Sequence, residues 1–143
     1  QEIARINADR VAGPSPTPDL RGRADRKLKV WGETPGLLIV TCHTDRDSEL
    51  VRSKPIVIEE DYAAVCCMTQ NLLLLLHNLG VAVKWSTAPV WEHSDFAKIV
   101  GLRHGLPGER VVALLFYGWS ETLPEERQFL PLDEILLDGG SGE

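Results

Sequence analysis

The chain has 143 residues, enough for one domain with a hydrophobic core. Its 43% hydrophobic and 25% charged residues are typical of a globular protein, and its net charge of −6 argues against broad electrostatic binding of nucleic acid. Three cysteines do not form a disulfide framework, so we expect a reducing compartment and place the protein in the cytoplasm. We predict a single domain over residues 1–143.

The first part of the chain predicts a helix and then a loop. Residues 1–12 place Ile3, Ile6 and Val11 roughly on one face, as in a weak amphipathic helix. The prolines of residues 13–18 cannot continue that helix, and we predict a proline-rich loop over residues 13–20. The chain begins at Gln1, inside the predicted helix and without a methionine. We therefore expect it to be truncated at its N-terminus. A basic cluster between Arg21 and Lys29 is either a solvated helix face or an anion site.

The middle of the chain predicts two buried strands around a long helix. Continuous apolar runs indicate strands at Gly36–Cys42 and Val111–Gly118. Between them, Asp61–Leu79 is apolar on nearly every face, which indicates a helix buried in the domain or in a dimer interface. Polar residues interrupt this stretch, so we predict no membrane span. After a glycine stop, the alternation over Val81–Ser86 is typical of a short strand.

The remaining segments predict connections and short elements. Residues 44–54 form a charged connection, and Ser94 caps a short helix that ends before Gly101. Residues 103–110 form a turn. The C-terminal part is an extended arm with a helical turn at Leu132–Leu136, and residues 139–143 form a disordered tail.

The sequence offers few candidates for catalytic chemistry. The histidines lie at positions 43, 77, 93 and 104, and no pair has the spacing of a zinc-binding motif. Cys66 and Cys67 diverge by about 100° on a helix, so we interpret them as buried structural thiols. The candidate ligand edge is the segment Lys84–Pro89, which presents small polar groups just after a buried element. The alternative interpretations are that Trp85 is a core residue and that Ser86 and Thr87 are plain turn residues.

An ordered set of motifs resembles a known family. Gln70–Leu74, followed by Leu79-Gly80 and Lys84–Thr87, resembles the nitroreductase family of FMN-dependent oxidoreductases, in which a helix of the form QNLLLAAH-x-LG leads to a W-x-[ST]-G turn beside the flavin. Three further segments are similar to the family's other motifs: Pro35–Val40 to its AP-x-x-I-V-V strand, Val111–Gly118 to its next strand, and Arg127 with Pro131–Ile135 to its R-x-P-L-x-E-V ending. The resemblance covers most of Trp31–Leu136 in the right order.

The resemblance implies an α+β fold whose central, mostly antiparallel sheet is flanked by helices around a long buried central helix. It implies a homodimer with the site between subunits, and an NAD(P)H-driven two-electron reduction of nitro-aromatics, quinones or similar acceptors. The cofactor-binding residues that it implies are Lys84, Trp85, Ser86, Thr87 and Arg127, with Arg127 near the FMN phosphate. No catalytic acid–base pair or metal is required, because the flavin supplies the redox chemistry.

Two departures from the family pattern bear on activity. Ala88 stands where the family has glycine, which we expect to restrict the backbone beside the flavin ring. The family's N-terminal segment, whose arginines hold the phosphate, has no counterpart, because Gln1 falls just beyond it. We therefore expect this chain to bind FMN weakly and to show little reductase activity. The alternative function is a flavin-free, non-enzymatic dimeric scaffold that retains only the fold.

Overall fold

The computed structural model describes residues 1–102, 109–122 and 128–136. These residues form, in chain order, α1 (Glu2–Ala12), α2 (Pro18–Glu33), β1 (Gly36–Cys42), α3 (Glu49–Ser53), α4 (Val57–Asn78), β2 (Ala82–Ser86), a 3₁₀ helix (Pro89–Glu92), α5 (Phe96–Val100), β3 (Arg110–Gly118) and α6 (Leu132–Ile135). The predicted turn at residues 103–110 and the predicted tail at residues 139–143 lie largely or wholly outside the described residues.

The three strands form one antiparallel sheet in the order β1-β3-β2. Phe116 at the centre of the sheet lies between Leu37 on β1 and Lys84 on β2. A register shift between Val40 and Thr41 interrupts the pairing of β1 with β3, which continues to Cys42 and Arg110. The two predicted apolar strands are thus neighbours, and the prediction of an α+β fold with an antiparallel sheet is confirmed.

Helices cover both faces of this sheet. Because side chains alternate along a strand, Leu114 and Phe116 point to one face and Ala113 and Leu115 to the other. All four are buried. On the first face, Leu114 and Phe116 belong to a core cluster that also contains Ile6 of α1. Trp31 of α2 packs against that cluster. On the other face, α4 contacts all three strands. The sheet is therefore the middle layer of the fold.

The central helix α4 is longer and less buried than its apolar sequence predicts. It begins at Val57 rather than at Asp61, and Thr69 is its one buried residue. The Thr69 hydroxyl donates to the Val65 carbonyl at 2.7 Å, so its burial leaves no unpaired polar group. Leu74 and Leu75 are 58% and 64% exposed. The prediction of a helix buried on every face is therefore wrong within one copy of the chain, because only one side of α4 rests on the sheet.

Short polar side chains decide where several helices begin. Thr17 accepts a hydrogen bond from the Leu20 amide, and Pro18 occupies the first turn, so the proline-rich loop ends at Thr17 and not at residue 20. Ser48 accepts from the Val51 amide and starts α3 inside the segment that we predicted to be a connection. At α5 the N-cap is Asp95 instead of the predicted Ser94, although Gly101 ends the helix with φ of 70° as predicted.

Two predictions about side-chain burial have different outcomes. The basic residues between Arg21 and Lys29 are exposed along α2, as a solvated helix face requires. Cys67, by contrast, is exposed, and Cys66 is only half-buried. The prediction of two buried thiols is wrong because both cysteines lie on the part of α4 that faces away from the sheet or along its margin. Cys42 at the end of β1 is the buried thiol.

Glycine is required at one position in the sheet. A Cβ atom on Gly36 would overlap the ring of Tyr117, its direct partner on β3. The ring of Tyr117 therefore lies flat over the start of β1, and any larger residue at position 36 would displace it.

Candidate functional site

The candidate site begins where β2 ends. Thr87 and Ala88 connect β2 to the 3₁₀ helix that starts at Pro89. Proline has no amide proton and cannot continue the strand ladder, so the chain turns away from the sheet there. Ala88 is buried, with φ of −152° and ψ of 142°. This extended conformation is open to any residue, so the expectation that alanine in place of glycine restricts the backbone is wrong in this structure.

A cleft of about 420 Å³ opens beside this corner, and we call it the Thr87 cleft. Four elements contribute to it: α4, the corner after β2, the 3₁₀ helix, and the beginning of β3. Its lining residues are Tyr62, Thr87, Trp91, Glu92, Glu109, Arg110, Val111 and Val112. The volume is within the range of about 300–1,000 Å³ found for small-molecule sites. The lining combines aromatic rings with hydroxyl and charged groups, which suits a flat ligand with a polar edge.

Arg110 is the cation of the cleft, and its neighbours hold it in place. Its guanidinium carbon lies 3.6 Å from the centre of the Tyr62 ring, a cation–π contact. Its Nη1 atom lies 3.3 Å from Oε2 of Glu59, one turn before Tyr62 on α4. Both groups of this ion pair are substantially exposed, so it contributes little to stability. The two contacts instead fix the direction of the guanidinium across the cleft wall.

Tyr62 is held in its neutral form. Burial is the largest cause that raises its pKa above the ordinary value of 10.0, followed by the charge of Cys66 and a hydrogen bond with that side chain. Arg110 acts in the opposite direction, because a cation favours the phenolate. The net effect is a raised pKa, so the hydroxyl of Tyr62 keeps its proton.

Two further hydrogen bonds fasten the wall of the cleft to the end of β1. Thr41 donates to Oε1 of Glu109 at 2.9 Å, and Thr44 donates to Oδ2 of Asp61 at 2.7 Å. The first joins β1 to the residue before β3, and the second joins the chain after β1 to α4. Hence Tyr62 and Arg110 belong to a wall that is tied at several points.

The predicted cofactor-binding residues lie in different surroundings. Thr87 is exposed and lines the Thr87 cleft. Lys84 and Ser86 share the sheet face of their partners Phe116 and Leu114, whereas Trp85 lies on the opposite face with Leu115. Lys84 lines a second cleft towards the other end of β2. Trp85 and Ser86 are half-buried, between the core and turn alternatives. Arg127 lies outside the described residues.

Sequence reasoning did not identify Tyr62, Trp91 or Arg110 as site residues. The ion pair between Arg110 and Glu59 joins residues 51 positions apart, and no local pattern indicates such a contact. One signal was available: Arg110 is a charged residue at the very start of an apolar strand, where functional side chains often project from a sheet edge.

Comparisons with known proteins give the family context. No protein-family model matches the sequence. A protein of Bacillus subtilis (strain 168) named "Putative NAD(P)H nitroreductase YfhC" is 27% identical over 128 residues, which cover 89% of this chain and 61% of that protein. The crystal structure of a nitroreductase-like family protein from Bacillus cereus matches with a TM-score of 0.60 at 26% identity, over 94% of this chain and 63% of that one.

The fold is nitroreductase-like. Both comparisons confirm the resemblance to the nitroreductase family that the ordered motifs predict. This nitroreductase-like chain spans less than two thirds of the length of either relative. Within the described residues, none of its helices combines the length and apolar character needed to cross a membrane.

Proposed function

We propose that this protein is an FMN-dependent oxidoreductase of nitroreductase type. It would transfer two electrons from NAD(P)H to nitro-aromatics, quinones or similar acceptors. The observation that carries the proposal is the similarity of 89% of the chain to a protein named as an NAD(P)H nitroreductase, together with the Thr87 cleft at the corner where the resemblance implies the flavin.

The residues of the Thr87 cleft fit the ring of a flavin. An isoalloxazine is flat, apolar on its faces and polar along one edge. The ring of Trp91 offers apolar surface, and the hydroxyl and backbone of Thr87 offer hydrogen bonds for a polar edge. Glu92 and Glu109 are engaged with Arg10 and Thr41, respectively, in this structure. We assign no phosphate position, because Arg110 already faces Glu59.

Each side chain has a simple task in this proposal. The bound flavin, when present, supplies the two-electron redox chemistry. Thr87 orients the polar edge of the ring, and Trp91 excludes water from its face. Arg110 fixes Tyr62, whose proton stays in place because its pKa is raised. Trp85, Ser86 and Arg127 remain proposed contacts on the strength of the resemblance, whereas Lys84 lines a different cleft.

We also propose that the protein functions as a homodimer through α4. Several large apolar side chains of α4 and the residue after it are about half to two thirds exposed: Met68, Leu74, Leu75 and Leu79. Several large exposed apolar side chains on one helix are typical of an interface. A second copy would bury it and would account for an apolar sequence that one sheet face does not cover.

Equilibrium dialysis with FMN tests the cofactor proposal directly. We expect weak but saturable binding to the purified chain, and a low rate of NADPH oxidation that depends on FMN with menadione or nitrobenzene as the acceptor. Thr87→Glu places a carboxylate in a cleft that already holds Glu92 and Glu109, and an anionic cofactor would be repelled. We expect the FMN dissociation constant to rise about tenfold or more in this variant.

Thr122→Glu is the matched control, because Thr122 is an exposed residue outside the Thr87 cleft. It adds the same charge and should leave FMN binding unchanged. The absence of saturable binding up to millimolar FMN would favour the flavin-free scaffold. Binding that both variants weaken equally would show that net charge, and not the Thr87 cleft, determines affinity.

A further inference from the structure

A second cleft lies at the other end of β2, and we call it the Lys84 cleft. It has a volume of about 280 Å³, near the lower limit of about 300 Å³ for small-molecule sites. It is formed by the end of α2, the link to β1, the start of β2 and the end of β3. The lining residues are Val30, Trp31, Thr34, Pro35, Ala82, Val83, Lys84, Phe116, Tyr117, Gly118 and Trp119.

Aromatic rings dominate this cleft. Trp31 and Phe116 are in contact, with ring centres 4.7 Å apart and planes tilted by 49°. Trp119 is 77% exposed, so almost all of a large apolar ring stands in water at the edge of the cleft. A flat aromatic ligand placed against these rings would remove apolar surface from water and gain offset stacking contacts.

Among the described residues that line the cleft, Lys84 supplies the only charge. It pairs with Phe116 across the sheet, so its side chain rises from the same face as the ring of Phe116, which Trp31 contacts. Among the described residues no carboxylate lines the cleft, and none lies within ion-pair distance of Lys84. The Thr34 hydroxyl already donates to the Val30 carbonyl at 2.7 Å, so it is not available to a ligand.

The floor of the cleft is preformed. The ring of Pro35 packs against Gly118, where a Cβ atom would come within 3.0 Å of it. The ring of Tyr117 covers Gly36 in the same way. These close contacts fix the backbone beneath the aromatic rings, so a ligand would not have to order it.

We propose that the Lys84 cleft binds a small planar aromatic acid, with its ring against the tryptophans and its carboxylate on Lys84. This site is separate from the Thr87 cleft and does not depend on the proposed reductase activity. The free ammonium selects an anion, and the aromatic lining selects a flat ring. The volume restricts the ligand to about one or two fused rings.

The four tryptophans allow a test that reports position as well as affinity. Each indole N–H gives one signal in a ¹H–¹⁵N correlation spectrum, and Trp→Phe variants assign them. The probe is 2-naphthoate, and its matched neutral analogue is 2-naphthamide. We expect 2-naphthoate to shift the Trp31 and Trp119 signals in a saturable manner, and to leave the signal of Trp91 in the Thr87 cleft unchanged.

Two variants separate the contributions of charge and ring. Lys84→Met keeps the apolar stem and should weaken 2-naphthoate binding about tenfold or more without affecting 2-naphthamide. Lys98→Met, at an exposed lysine on α5, should leave both affinities unchanged. Trp119→Ala alters a side chain that is almost entirely in solvent, so it should fold normally and weaken both ligands. Three outcomes would each overturn the proposal. They are equal affinity for 2-naphthoate and 2-naphthamide, shifts at Trp91 instead of at Trp31 and Trp119, and the absence of any saturable shift.

Discussion

At the scale of single residues, Gly36 gives the sharpest prediction of stability. Gly36→Ala forces the ring of Tyr117 off the start of β1, and we expect a loss of about 1–3 kcal/mol in the free energy of unfolding. Gly32→Ala is the matched control, because Gly32 lies inside α2 with no atom within 4 Å of the added Cβ. It should stabilise the chain by about 0.4–1 kcal/mol. Urea denaturation of both variants measures the difference, and equal effects would contradict the predicted overlap.

Tyr62 makes stability depend on alkaline pH. Its folded-state pKa is raised, first by burial and then by Cys66, so the neutral phenol is favoured in the folded chain. This contribution is complete below the unfolded pKa of 10.0 and is lost as the pH rises through the folded pKa. We expect the wild-type chain to lose more stability than Tyr62→Phe between about pH 9 and about pH 12. Parallel stability curves for the two proteins would show that Tyr62 titrates normally.

At the scale of secondary structure elements, the same substitution should destabilise the chain much more on β3 than on α4. Leu115 on β3 is fully buried, and Leu115→Ala should cost about 2–5 kcal/mol. Leu74 on α4 is 58% exposed, and Leu74→Ala should cost less than about 1 kcal/mol in dilute solution. Calorimetry at low protein concentration measures the loss of stability in the two variants. A large loss for Leu74→Ala under these conditions would mean that α4 is covered within one copy of the chain.

The strands were predictable because their apolar runs are continuous and end at proline, glycine or charged residues. The limits of α4 were harder to predict, because its apolar pattern does not distinguish residues on the sheet from residues in an interface. Helix α3 was missed although Ser48 followed by Glu49 is a recognisable start signal. The Thr87 corner could be located from the end of β2. Its partners Tyr62 and Arg110 could not, because only the packing of α4 on the folded sheet brings these two residues together.

At the scale of the whole molecule, the exposed leucines of α4 predict self-association. We expect a dimer by light scattering at micromolar concentration, with a melting temperature that rises with protein concentration. Leu75→Glu places a charge on a residue that is 64% exposed in one copy, so it should leave the fold intact and shift the protein to a monomer. Leu50→Glu on α3, at a residue 55% exposed, is the control. A wild-type chain that is monomeric at these concentrations would contradict the proposed interface.

The strand order has a consequence for handling the protein. Among the described residues β1 and β2 each pair on one side only, so two rows of backbone amides and carbonyls remain available to another strand. The seven residues of β1 contain neither charge nor proline, which is the composition of fibril-forming segments. Warmed or agitated samples should therefore develop thioflavin T fluorescence. Leu38→Lys at this edge should suppress that signal, whereas Leu50→Lys should not. Storage at low concentration and the presence of any ligand that rigidifies the sheet should delay amyloid growth.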